Sequence, residues 1–465
     1  MSLTASPHRS SQAGAPSRNR QATATLAAAV LGFFVITLDA TIVNVALPSI
    51  RDALGGGVTG LEWVVDAYTL MFAALLLSAG SLSDRIGARR AFAGGLGLFI
   101  IASLMCGLAP SLPVLIAARM VQGVGAAITM PTSMALVRQA FPAPGRRARA
   151  VGVWAMGGAV AAAAGPVLGG VLSLASWRMI FWINLPVGIL TLLLLSRAQQ
   201  SSTRPAPFDR IGQITAILAM GGLTYGAIEA GDAGFTAPPV LISLCIAIAA
   251  LAAFVTAQAK VAHPMVPLTL FRSPTVVVAT GIGFAFMVGF YGLPFLFSLY
   301  FQQQHGLSAL GAGVAFLPMV LLSAILTPLS ARIAERTGPR VPVVAGLILI
   351  AAGSIALALV PAAMPVWANA LLLIPIGMAG PLVMPPTTAL LLEHVPAGQT
   401  GTASGVFNTS RQIGGALAVA VFGALISAPD GFQHGLHVSL TVTAAIALLA
   451  ALTTPRMGAV RRRHV

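Results

Sequence analysis

Charge is what this chain has least of. Only 8% of its 465 residues are Asp, Glu, Lys or Arg, against about 25% in a soluble domain. Such a chain cannot clothe its surface in polar groups, which excludes an ordinary soluble globular protein. Acids are scarcest, at 11 in all; among the 26 basic residues, Lys260 alone is a lysine. The two cysteines, Cys106 and Cys245, each sit within an apolar run, which argues against a disulfide framework or a metal site. No histidine falls at the centre of an apolar run, so a histidine proton relay is not expected. No phosphate-cradling loop is present, which argues against ATP drive within the chain. No cofactor is expected.

What is present is apolar. Hydrophobic residues make up 57% of the chain, and mean hydropathy is +0.91. The 49 glycines suit helices that must approach closely where no hydrophobic effect drives them together. A net charge of +15 would suggest nucleic acid in a soluble protein. Here it has a topogenic explanation, because basic residues are retained on the cytoplasmic side of a membrane.

Runs of about 20 apolar residues are long enough to cross a bilayer as helices. Fourteen occur, at 24–48, 61–82, 91–109, 112–136, 149–173, 177–196, 211–230, 238–258, 275–301, 309–331, 341–360, 365–388, 400–427 and 435–454. The first is too long for a signal-peptide core and lacks a cleavage site. Gly292-Leu293-Pro294 is expected to kink the ninth run rather than split it. With both termini inside, every basic residue except Arg51, Arg178, Arg119 and Arg411 falls in a cytoplasmic segment. A missed or extra span would invert that pattern downstream of the error. The expected protein is therefore an all-α, multi-pass protein of the cytoplasmic membrane.

An internal repeat divides it. The segment from Gly80 through Asp84, Arg85 and Gly87 to Arg89 recurs, degraded, from Ala331 through Glu335, Arg336 and Gly338 to Arg340. Two related helical halves with substrate bound between them are a common transporter plan. The expected division is a disordered tail (1–22), a six-helix bundle (23–198), two inserted helices (199–262), a second six-helix bundle (263–455) and a basic tail (456–465). Within the repeat, Gly80 and Gly87 permit a tight turn. Asp84 and Glu335 can pair with neighbouring arginines in a latch that forms in one conformation and breaks in another. The alternative is a topogenic basic turn.

Ionisable groups inside the spans default to a functional role because placing them there is costly. Asp39, Asp66 and Arg119 fall about 7–14 Å below the outer surface at 1.5 Å per residue. They are expected to face one cavity, where a carboxylate could take a proton from outside and release it inside. A static ion pair, or an interfacial Asp66, is the competing reading. In the fifth span, Gly157, Gly165 and Gly169 lie on one small-residue face, with Pro166 and Gly170 beside it. That face either packs helices or seals the two halves together. Asn44, Gln122, Tyr291, Phe295, Tyr300 and Arg411 are the candidate substrate cavity; for Arg411, snorkelling towards the cytoplasm ranks above a substrate role.

The run from Leu38 and Asp39 through Thr41 and Asn44 to Pro48 resembles the first-span signature of the 14-span drug:proton antiporters of the major facilitator superfamily. Gly80 to Arg90 is similar to that superfamily's motif between spans two and three. Arg119 with Gln122, Gly123 and Gly125 matches its fourth-span motif. Gly152 to Gly170 is similar to its fifth-span antiporter motif, with Ala161 replacing a glycine. Trp177-Arg178, Asn184-Leu-Pro186 and Asn408-Thr-Ser-Arg411-Gln412 extend the likeness over nearly the whole chain. Some stretches are most similar to exporters of the methylenomycin-resistance type.

The resemblance implies two six-helix bundles related by pseudo-twofold symmetry, two extra helices, and export of lipophilic small molecules driven by inward proton movement. It implies that Arg119 assists proton transfer. Late-span acids that accompany dication export elsewhere are missing from spans 10 and 13, which favours neutral or monocationic solutes. The expected partners are a small-molecule substrate, protons and lipid, not nucleic acid, with the chain acting as a monomer. The rival readings are an uptake or facilitative transporter, which the fifth-span glycines oppose, and a membrane-embedded enzyme, for which no catalytic cluster is present.

Overall fold

In lipid, every backbone polar group must find its partner within the protein, so a chain of this composition must be helical. The computed structural model describes residues 15–198, 209–234, 236–360, 364–395, 399–428 and 431–457. The first half comprises α1 (Ala15–Leu54), α2 (Gly57–Ile86), α3 (Ala88–Leu108), α4 (Leu112–Ala140), α5 (Pro144–Ala175), α6 (Met179–Trp182) and α7 (Asn184–Leu195). Two further helices follow, α8 (Arg210–Ala233) and α9 (Pro238–Lys260). The second half comprises α10 (Pro274–Leu299), α11 (Ala309–Ala315), α12 (Leu317–Thr337), α13 (Arg340–Leu359), α14 (Val366–Leu372), α15 (Ile374–Glu393), α16 (Thr400–Ser427) and α17 (Phe432–Thr453).

Among the described residues, 13 helical stretches are long and apolar enough to cross a membrane, and Met179–Leu195 adds a shorter apolar one. Together they follow the order of the fourteen expected spans. α12 and α15 each begin with a proline in their first turn. Its missing N–H loosens the junction with the short helix before it without ending the span. α10 runs unbroken through Pro294, as expected. The start of α1 corrects the expected tail: residues 15–22 are helical, because after Pro16 that stretch contains no breaker. Residues 1–14 and 458–465 lie outside the described part.

The two copies of the repeat adopt one shape. Gly87 and Gly338 end their helices at φ 86° and 81°, with ψ 137° and 155°, a conformation that only glycine adopts without strain. Glycines also set the closest crossings within each half. A Cβ on Gly125 of α4 would strike the backbone of Phe99 on α3, and one on Gly414 of α16 would strike the Phe284 carbonyl on α10.

The inserted pair is pinned. Gln213 of α8 donates to the Ala74 carbonyl of α2 at 2.8 Å and accepts from Ser78. Asp209 caps α8 through the Gly212 amide at 2.8 Å and accepts from Gln258 of α9 at 2.6 Å. Gln258 in turn accepts from the Val266 amide at 2.8 Å. At its other end α8 meets the second half, where Gly231 packs on Ala424 of α16. The pair thus lies against both halves.

The described contacts of α1 and α5 with α10 and α11 gather at the end opposite the basic face. Ser298 donates to the Asn44 carbonyl at 2.7 Å and Gln302 to the Val45 carbonyl at 3.2 Å. Gly170 packs against the Leu310 backbone, and Gly313 against the Pro166 carbonyl. A cleft of about 560 Å³, lined by Ser49, Arg51, Gln302 and Ser308 among others, opens at this end. It lies away from the buried charges. Gly313→Val sets a Cβ into the Pro166 carbonyl. Overpacking of this kind costs about 1–3 kcal/mol, so the closed form should lose about 5–150-fold in population. A Ser49→Cys reporter in a cysteine-free background should then react faster with an impermeant maleimide; an unchanged rate rejects this account of the seal.

Candidate functional site

Asp39 and Arg119 form a fully buried ion pair, with Arg119 Nη1 donating to Asp39 Oδ2 at 2.5 Å. Asp39 Oδ1 accepts from Gln122 Nε2 at 2.8 Å and from Asn184 Nδ2 at 2.7 Å. The Gln122 side-chain oxygen accepts from Arg119 Nη1 at 2.7 Å. Ser103 Oγ accepts from Gln122 at 3.2 Å and Asn184 at 2.9 Å, and donates to the Phe181 carbonyl at 2.8 Å. Arg119 Nε donates to the Val64 carbonyl at 3.0 Å, while its guanidinium carbon stands 4.3 Å from the Tyr68 ring centroid. Helices α1, α2, α3, α4 and α7 therefore converge on one carboxylate. The ionised form of Asp39 is well satisfied, as a buried charge must be.

Asp66 does not join this network. It is fully buried, and among the described residues neither carboxylate oxygen has a hydrogen-bond partner. Val64 and Tyr68 turn towards Arg119, whereas Asp66 shares the face of Glu62, one turn away. Glu62 is 1% exposed and lies against Gly423 of α16. Further along, Thr409 of α16 donates to the Ala73 carbonyl at 3.4 Å. The α2–α16 seam between the halves thus carries two buried acids. The expectation of one cavity for Asp39, Asp66 and Arg119 divides into a paired site within the first half and an unpaired acid on the seam.

Reading the sequence passes over Glu62, Ser103 and Asn184 as site residues. Glu62 stands at the edge of an apolar run and looks interfacial; its four-residue spacing to Asp66 was the available signal. Ser103 and Asn184 are small polar residues on distant spans, and nothing in their local pattern marks a shared partner.

The latch expectation changes in kind. Arg89 donates to the Ser196 carbonyl at 2.8 Å, at the end of α7, and Arg340 donates to the Met457 carbonyl just beyond α17. Each repeat thus ties its third span to the end of its own half's last span, where a cation also meets the favourable end of the helix dipole. Glu335, Arg85 and Arg336 are exposed, and no described ion pair joins the halves here. The side chains of Gly80 and Asp84 lie outside the described residues.

Most of the fifth-span face packs within the first half. Gly157, Gly165 and Gly169 seat α5 on Val30, Thr41 and Ile42 of α1. Gly170 and the Pro166 carbonyl reach the second half, at Leu310 and Gly313, and a Cβ added at Gly152 would meet nothing within 4 Å. The expected cavity set also divides. Phe295 is fully buried in the core, and Tyr300 is 3% exposed and stacked on Phe432; both pack rather than line a cavity. Asn44 is buried with its side-chain oxygen unpartnered. Tyr291 lies on Gly415, and Arg411 is half-buried, donating to Asn408 Oδ1 at 2.9 Å.

Residues 29–419 match the profile of the Major Facilitator Superfamily. The chain is 34% identical over 434 residues to the methylenomycin A resistance protein of Streptomyces coelicolor, covering 93% of this chain and 91% of that one. It is 38% identical over 470 residues to the multidrug resistance protein Stp of Mycobacterium tuberculosis, covering 96% and 85%. In structure it resembles a D-xylose-proton symporter, with a TM-score of 0.71 at 15% identity over 94% of this chain and 98% of that one. At that identity the likeness concerns the fold alone.

Arg119→Ala leaves Asp39 charged, buried and unpaired, which should cost about 3–5 kcal/mol. Thermal unfolding of the purified variant should show a marked drop in Tm. Adding Asp39→Asn should restore most of it, because the orphaned charge is gone. A double variant no more stable than Arg119→Ala would reject the pairing as the source of the loss.

Proposed function

Because the chain belongs to the Major Facilitator Superfamily, we propose that it is a proton-coupled antiporter that exports antibiotics and other lipophilic small molecules by alternating access. The observation that carries this reading is the buried Asp39–Arg119–Gln122–Asn184 network. The curated relatives named for resistance and efflux support the direction of transport. The basic face is cytoplasmic by the positive-inside rule, so both termini are cytoplasmic and the sealed end faces outward. The chain works as a monomer, since its two halves together supply every residue the cycle needs.

The protonation cycle follows from which acids have partners. Asp39 accepts from three side-chain donors. A proton arriving there removes the charge that holds Arg119, leaving the guanidinium with Val64, Tyr68 and Gln122. α4 is then free to shift against α1. Asp66 has no hydrogen-bond partner among the described residues, and in the proposed cycle it carries the proton while the seam is closed. Separation of α2 from α16 on the cytoplasmic side would hydrate it and release its proton. Inward proton movement is thereby tied to the rocking that carries solute outward.

Asp39→Asn should abolish proton-coupled efflux while membrane expression is retained. The measurement is dye or antibiotic uptake into energised inverted vesicles, whose lumen corresponds to the cell exterior, alongside growth of a pump-deficient host on a panel of antibiotics. Undiminished efflux down a pH gradient would sink the assignment of Asp39. Asp66→Asn should likewise uncouple transport from the gradient while leaving solute counterflow in place.

A further inference from the structure

The two arginines deep in the spans are treated differently. Arg119 has Asp39, but Arg411 on α16 has no carboxylate within ion-pair range among the described residues. Its described hydrogen bond goes to the neutral Asn408 amide, and its Nε is buried without a partner. A guanidinium presents five N–H donors in a planar fork, and a cation left short of partners inside a bilayer defaults to a functional role. Arg411 stands eleven residues into α16, roughly 16 Å from the helix start at 1.5 Å per residue. That depth is near the middle of the span, where solutes bind in two-half carriers.

Its surroundings are aromatic. Gly283 on α10 makes room for the stem, since a Cβ there would meet Arg411 Cγ at 3.0 Å. The Phe407 ring centroid lies 5.9 Å from the guanidinium carbon. Tyr291 is seated on Gly415, one turn further along α16 on the same face as Arg411. Phe286 and Phe290, preceding Tyr291 on α10, stack at 4.9 Å. The Asp39–Arg119 pair is neutral as a unit, so Arg411 leaves this region with an uncompensated positive charge. The bond to Asn408 draws the head towards the basic face but supplies no counter-charge.

We infer that Arg411 recognises an anionic head group on the solute, and that aromatic or lipophilic acids are a substrate class of this transporter. A carboxylate, sulfonate or phenolate takes the free edge of the guanidinium through paired N–H···O bonds, while the apolar body lies along the Tyr291 ring. A cationic solute would instead meet an unneutralised guanidinium. This rests on the exporter reading above, and it moves the expected solute from neutral or cationic compounds to acids.

The test uses three probes with one aromatic body: 1-pyrenebutyrate, 1-pyrenebutanol and a pyrenylbutyl-trimethylammonium salt. Equilibrium binding to the purified full-length protein is read by tryptophan-to-pyrene energy transfer. The wild type should bind the carboxylate at least about tenfold more tightly than the alcohol or the cation, the scale of a hydrogen bond to a charged group. Arg411→Gln should erase that preference while leaving the alcohol's affinity and a monodisperse elution profile unchanged. Arg411→Lys should retain part of it. Preference for the cation, absence of saturable carboxylate binding, or a preference that survives Arg411→Gln would each overturn the assignment. Asp39→Asn should still bind the carboxylate, so a failure of proton coupling at Asp39 is distinguishable from a failure at Arg411.

Discussion

A charge inside a bilayer must be satisfied by the protein that carries it, because lipid offers neither hydrogen bonds nor counter-ions. This constraint organises the molecule. Asp39 and Arg119 satisfy each other, and the Val64 carbonyl with the Gln122 and Asn184 side chains completes their shell. The helices that supply those groups make up much of the first half, so the pair orders the bundle as well as serving the chemistry. In the proposed cycle a proton on Asp39 removes the central contact of this network and so selects between two packings of the same helices.

The second half is built on the same plan but carries a different charge economy. Its repeat closes the same tie, Arg340 to the end of its last span as Arg89 does in the first. It has no counterpart of the Asp39–Arg119 pair among the described ion pairs. In the proposed cycle the two halves divide the work, with proton chemistry in one and Arg411, which has no acid in ion-pair range among the described residues, in the other. The α2–α16 seam joins them through Glu62, Asp66, Ala73 and Thr409, and the inserted α8–α9 pair lies against both sides of it. The insertion consequently rides on the surface that must move during transport.

Several features were legible in the sequence for definite reasons. Span number follows from hydropathy because lipid requires about 20 apolar residues per crossing. Asp39 and Arg119 stood out because ionisable groups at that depth are rare, and their similar depth anticipated the pair. The kind of contact was less legible. The small residues on α5 announced close packing, but a face of glycines does not say which helix fills it, and most of it seats α1. The repeated loop announced related halves. Whether its arginines tie a half to itself or to its partner depends on where the last span of each half ends, a matter of tertiary distance. Phe295 and Tyr300 look alike on paper whether they line a cavity or fill a core.

By itself the sequence determined the solvent, the order of the crossings, and that Asp39, Asp66 and Arg119 are buried charges. Each of these follows from local composition or from period along one helix. Only the tertiary structure decided that Asn184 and Ser103 complete the Asp39 site, that Asp66 stands apart beside Glu62, and that Arg411 has no acid facing it among the described residues. These are relations between residues tens to hundreds of positions apart. Hydropathy and spacing carry no information about which helix face meets which, because in lipid close packing and polar pairing make that choice after the helices have formed.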